Sequence, residues 1–66
     1  MTIVLNENPI NVDTSISLNG LLEQNDISSR GIAVAINSMV VPRDKWSDTF
    51  FKENDQVLII KATQGG

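Results

Sequence analysis

Short apolar runs, separated by clusters of turn-forming residues, divide this chain into elements. Residues 2–6 are mostly β-branched and aliphatic and read as a strand, with Ile3 and Leu5 on one face. Glu7-Asn8-Pro9 reads as a turn and residues 10–13 as a short second strand, which together make an N-terminal hairpin. An irregular loop is the alternative for this stretch. Ser17 then offers an N-cap. Ile16 before it and Leu21 after it have the spacing of a hydrophobic staple. Leu18, Leu21 and Leu22 form an apolar stripe at helical spacing, so a helix of about two turns is predicted. Gly20 weakens it by ~1 kcal/mol relative to Ala, and Asn25-Asp26 ends it. So short a helix does not hold alone in water and needs a sheet to lie on.

Residues 32–37, rich in Ala, Val and Ile, read as a third strand. Asn37-Ser38 is a turn signal, and residues 39–41 resume an extended run, giving a second hairpin. Pro42 breaks the pattern. Residues 43–51 place Trp46, Phe50 and Phe51 among charges, which suits an irregular or one-turn helical crossover. After the polar turn Lys52-Glu53-Asn54-Asp55 come four consecutive aliphatics, Val57 to Ile60. A strand apolar on both faces is usually central in its sheet. The expectation is that it lies beside the first strand and parallel to it. The fold class is therefore α+β, with a mixed sheet of about five strands packed on one helix.

Composition narrows the function. A chain of 66 residues is one small domain. It has no cysteine and no histidine, which excludes disulfides and the usual zinc sites. Its net charge of −3 disfavours nucleic acid and anionic membrane as partners. It has neither a long apolar run nor a signal-peptide start, so a cytoplasmic protein is expected.

The most informative residues are the last two, Gly65-Gly66, directly after the final strand. At about 7% glycine usage, such an ending arises by chance in roughly 1 of 200 chains. An extended end without side chains suits a carboxylate that must enter a narrow slot in another protein, because glycine lets backbone approach closely. The alternative is a frayed terminus.

Several segments carry a family resemblance. They are Ala33-Val34-Ala35-Ile36-Asn37, then Val41-Pro42-Arg43 with Trp46, then Asp55-Gln56-Val57 leading to Gln64-Gly65-Gly66. With the short length, they make the chain resemble the ubiquitin-like β-grasp sulfur carriers, above all those of thiamin thiazole biosynthesis. That family usually has Gly-Asp before the last strand where this chain has Asn54-Asp55. Asn tolerates a left-handed backbone, so the turn is expected to survive.

The resemblance implies a ubiquitin-like β-grasp domain over residues 1–62 and a flexible C-terminal tail over residues 63–66. It also implies a chemistry. A ubiquitin-activating-type adenylating enzyme uses ATP and Mg²⁺ on the Gly66 carboxylate. A persulfide sulfur from a cysteine-desulfurase pathway displaces AMP, and the resulting thiocarboxylate donates sulfur to thiazole synthase. Gln64, Gly65 and Gly66 form the partner-binding tail, in which Gln64 is either a backbone-positioning contact or a solvated polar residue. The carrier itself binds no cofactor or metal and is a co-substrate rather than an enzyme. Related readings are the small subunit of molybdopterin synthase and a protein-conjugating modifier. A plain interaction module is a reading of a different class.

Arg43, Phe50 and Phe51 are candidate partner contacts. Arg43 is either a salt-bridge donor to a partner acid or a solvated charge after a proline. Phe50 and Phe51 are adjacent, so they do not share one core, and one of them is free to dock a partner. Trp46 is either an interface anchor or, in a chain with three aromatics, a packing residue. Asp44, Asp48, Glu53 and Asp55 either steer docking or form a solvated loop.

Overall fold

Two hairpins and a central strand build the sheet. The computed structural model describes residues 1–61. The elements are β1 (Thr2–Leu5), β2 (Asn8–Asn11), α1 (Leu18–Gln24), β3 (Ile32–Ile36), β4 (Met39–Val40), a 3₁₀ helix (Arg43–Asp48) and β5 (Gln56–Lys61). The strand order is β2-β1-β5-β3-β4. β1 and β5 are parallel, and every other neighbouring pair is antiparallel. The last strand is thus central and parallel to the first, as the apolar run Val57 to Ile60 led one to expect.

The first turn differs from the sequence reading. It falls at Asn6-Glu7, not Glu7-Asn8-Pro9, and Asn8 and Pro9 belong to β2. Asn6 and Glu7 both have positive φ, 48° and 71°, which is the two-residue turn whose twist matches a hairpin. Pro9 is tolerated because β2 is an edge strand. Its partner Val4 sends its own N–H the other way, to the Asp55 carbonyl at 2.8 Å, so no ladder bond is lost at Pro9. The second hairpin repeats the device at Asn37 (φ 51°) and Ser38 (φ 72°).

The helix is capped at both ends. Ser17 Oγ accepts the Gly20 N–H at 3.1 Å. At the other end Asp26 turns left-handed at φ 57°. Its N–H reaches the Glu23 carbonyl and the Ile27 N–H reaches the Leu22 carbonyl, which is a Schellman closure with Asp in the usual glycine position. Gly20 has a reason to lack a side chain, since a Cβ there would stand 3.0 Å from Ile16 Cγ1. Leu18, Leu21 and Leu22 are all buried against Ile3, Val34, Val57, Trp46 and Phe51.

This core lies on one face of the sheet only. Val57 is buried and Ile59 half-buried, but Leu58 and Ile60 point to the opposite face and are exposed. The all-aliphatic run is therefore not buried on both sides. One seven-residue helix and one six-residue 3₁₀ helix are enough to cover a single face.

Candidate functional site

β5 is the element that carries the chain toward its last residues, and the structure braces its beginning from both sides. On the β3 side, Asn37 Oδ1 accepts the Gln56 N–H at 3.0 Å and Asn37 Nδ2 donates to Asp55 Oδ1 at 2.9 Å. Asp55 Oδ2 accepts the Lys52 N–H at 2.8 Å. Asp55 is thus buried and fully used in fixing the turn, rather than joining a solvated or steering acidic cluster. Asn54 before it takes φ 69°, the left-handed conformation expected where the family has glycine. On the β1 side, the Asn6 N–H donates to the Val57 carbonyl at 2.9 Å, and Asn6 Oδ1 accepts the Ile59 N–H at 2.8 Å. Asn6 therefore serves as one more strand residue after β1 has ended.

Past these braces, β5 presents an open apolar face. Leu58 lies opposite Ala35, which lies opposite Val40, and Ile60 lies opposite Ala33. The small alanines leave the larger side chains standing clear. Leu58 is 48% exposed, Ile60 47% and Val40 70%. Beside Lys61, at the end of the strand, a cleft of about 610 Å³ opens against Arg30, Gly31 and Ile32.

The candidate contacts from the sequence fall in different places. Arg43 lies over the Trp46 ring, 4.6 Å from its centroid. Its Nη1 donates to the Ser29 carbonyl and its Nη2 to the Ile32 carbonyl at 3.4 Å. Two of its guanidinium donors are thus engaged within the chain, where they tie the loop before β3 to the 3₁₀ helix. Trp46 is a packing residue; it is buried and donates its indole N–H to the Val41 carbonyl at 2.9 Å. The two phenylalanines divide as their adjacency requires. Phe51 is in the core, and Phe50 is 56% exposed. Phe50 lines a hollow with Met39 and Val40, near the Ile36–Val57 end of the β3–β5 pair, whereas Lys61 lies at the Ile32 end. Phe50 and the end of β5 are thus separate surfaces. Gln64, Gly65 and Gly66 lie outside the described residues.

Sequence reasoning missed the open face of Leu58 and Ile60 and the bracing role of Asn6. The signal for the first was present, because so short a chain has too few residues to cover both sides of a five-stranded sheet. Among the described residues, no group of three His, Cys, Asp or Glu comes together as metal ligands, and no helix is long and apolar enough to cross a membrane.

A mixed five-stranded sheet packed on one helix, with a central last strand parallel to the first, defines the class of ubiquitin-like β-grasp proteins. Comparison with known proteins narrows the class. The ThiS family model matches residues 2–66. The chain is 33% identical over its full length to the full length of the sulfur carrier protein ThiS of Escherichia coli (strain K12). It is 35% identical over its full length to the protein ycf40 of Porphyra purpurea, covering 93% of that chain. Among solved structures it superposes with a TM-score of 0.85 on the crystal structure of the thiamine biosynthesis protein ThiS from Geobacter metallireducens, at 26% identity and with both chains fully covered. The chain belongs to the ThiS family.

Proposed function

We propose that this chain is a sulfur carrier of thiamin biosynthesis and that its reacting group is the Gly66 carboxylate. The observation that carries this reading is the family match, which runs through the whole β-grasp domain and continues to Gly66. The domain over residues 1–62 serves as the handle, and residues 63–66 form the part that enters a partner's active site.

The chemistry follows from what a carboxylate lacks. It is a poor electrophile, since its charge repels nucleophiles and its leaving group would be oxide. An adenylating enzyme of the ubiquitin-activating type converts it to an acyl adenylate, with ATP and Mg²⁺ consumed on that enzyme and pyrophosphate released. A persulfide, supplied by a cysteine desulfurase, attacks the acyl carbon through its terminal sulfur and displaces AMP. A second thiol then cleaves the sulfur–sulfur bond, which leaves a thiocarboxylate on Gly66 and a disulfide on the donor. Thiazole synthase accepts the sulfur. The carrier is a co-substrate, and the described residues supply stability and docking surface, not acid–base chemistry.

The test is intact mass after incubation with ATP, Mg²⁺, the cognate adenylating enzyme and a persulfide source. A sulfur-for-oxygen exchange resembles oxidation in mass, and Met1 and Met39 are both present, so the change must be localised to the C-terminal peptide and captured by a thiol-reactive alkylator. Alkylatable sulfur at Gly66 is the expected result. An unmodified terminus, with an enzyme shown to be active on its own carrier, would overturn the proposal. Adding one residue after Gly66 should abolish the reaction.

A further inference from the structure

β5 is held on both sides only as far as β1 reaches. Against β3 it is paired through Lys61↔Ile32, whereas its parallel pairing with β1 stops at Leu5↔Val57. Backbone groups alternate in direction along a strand. Val57 receives the Asn6 N–H on the β1 side, and Gln56 receives the Asn37 N–H on the β3 side. Odd-numbered residues of β5 therefore turn their N–H and C=O groups toward β1. Asn6 Oδ1 takes the Ile59 N–H. Next along that side come the Ile59 carbonyl and the Lys61 N–H, and among the described residues neither has a hydrogen-bond partner. A stretch of free strand edge thus lies inside the width of the sheet, beyond the end of β1. It borders the open face on which Leu58 and Ile60 stand.

We propose, resting on the reading of Gly66 as the reacting carboxylate, that the adenylating enzyme lays an extended segment of its own backbone along this edge, in line with β1, and bonds the Lys61 N–H. The length of the remaining chain restricts the occupant to a protein that holds Gly66, and the adenylating enzyme is the first to do so. Five residues separate Lys61 from Gly66, and fully extended they span about 17 Å. An active site that holds the Gly66 carboxylate has its walls within that distance of Lys61, and the free edge lies at that end of β5. Main-chain pairing also suits a tail that ends in two glycines, because such a tail has little side chain to read. The added segment would place its alternate side chains beside Leu58 and Ile60, removing part of that apolar surface from water.

The test uses the full-length carrier with its cognate adenylating enzyme, read by ATP–pyrophosphate exchange. One carrier, made by chemical synthesis, has an ester in place of the Ile60–Lys61 amide and so lacks the Lys61 N–H. A second variant, Lys61→Pro, also lacks it but keeps the amide carbonyl, and Lys61→Ala keeps the N–H and loses the side chain. Cross-strand NMR contacts between β3 and β5 establish that each is folded. The expected result is a KM for the carrier raised roughly three- to tenfold in the ester and Lys61→Pro forms, as for one lost hydrogen bond, with kcat retained. Lys61→Ala should shift it less than about twofold. An unchanged KM in the ester form would overturn the proposal, as would an equal loss in Lys61→Ala. A carrier dimer that the ester converts to monomer would assign the edge to a second copy and also overturn it. Failure of the unmodified carrier to be adenylated at all would instead overturn the underlying reading of Gly66.

Discussion

Asn6 and Ile59 are 53 positions apart in the chain, yet the Asn6 side chain accepts the Ile59 N–H at 2.8 Å. The bond links the turn of the first hairpin to the middle of the last strand. It exists because Asn6 combines two properties. It adopts the left-handed conformation of the turn, φ 48°, and its short amide reaches back like a further peptide group. Asn6→Gly keeps the conformation and loses the bond, and should cost about 1 kcal/mol. Asn6→Ala loses both and should cost about 2 kcal/mol. Urea unfolding measures these losses, and faster hydrogen exchange at the Ile59 amide in both variants places them.

Arg43 bonds to the chain's own loop. Arg43→Ala removes the contact with the Trp46 ring and two hydrogen bonds to the carbonyls of Ser29 and Ile32. A stability loss of about 1–2 kcal/mol is expected. NMR shift changes should concentrate in the loop before β3. An Arg43→Ala protein with unchanged stability would show that these contacts do not hold the fold.

Consecutive residues of β5 should behave oppositely. Val57 is buried in the core, and its truncation to alanine removes two methyl groups at a cost of about 2 kcal/mol. Leu58 next to it is exposed, and Leu58→Ala should cost under about 1 kcal/mol although it removes more carbon. Equal losses by thermal or urea unfolding would mean that the second face of the sheet is covered.

Asp13 gives a pH signature. Its carboxylate accepts the Ser15 N–H at 2.9 Å and the Ser15 hydroxyl at 2.8 Å. The backbone bond, followed by the hydroxyl, holds its pKa below the ordinary aspartate value. A pKa depressed in the folded state means stability that is fully present above the unfolded value and is lost as pH falls through the folded one. NMR titration should show the low midpoint. Ser15→Ala should raise it only part of the way, since the backbone bond remains.

Most of the fold was legible because its signals are local. The Ser17 cap, the Leu18-Leu21-Leu22 stripe and the Asn37-Ser38 turn each act within a few residues, and each is where the pattern put it. Asn6-Glu7 was harder to place, because Asn8-Pro9 also looks like a turn, and only an edge position lets proline stay in a strand.

The sequence by itself determined the class of fold, the one-helix core and the glycine end that suggests the chemistry, since these rest on periodicity, capping and composition. The tertiary structure decided what alternation cannot. In a run of four aliphatic residues, Val57 to Ile60, no polar residue marks which side faces water. That choice depends on which face α1 covers, and α1 covers the one carrying Val57. Likewise, nothing local in Arg43, Asp55 or Asn6 tells a solvated polar residue from one that bonds to a distant part of the chain. The partners are supplied by chain segments up to 53 positions away, and only the folded sheet brings them within reach.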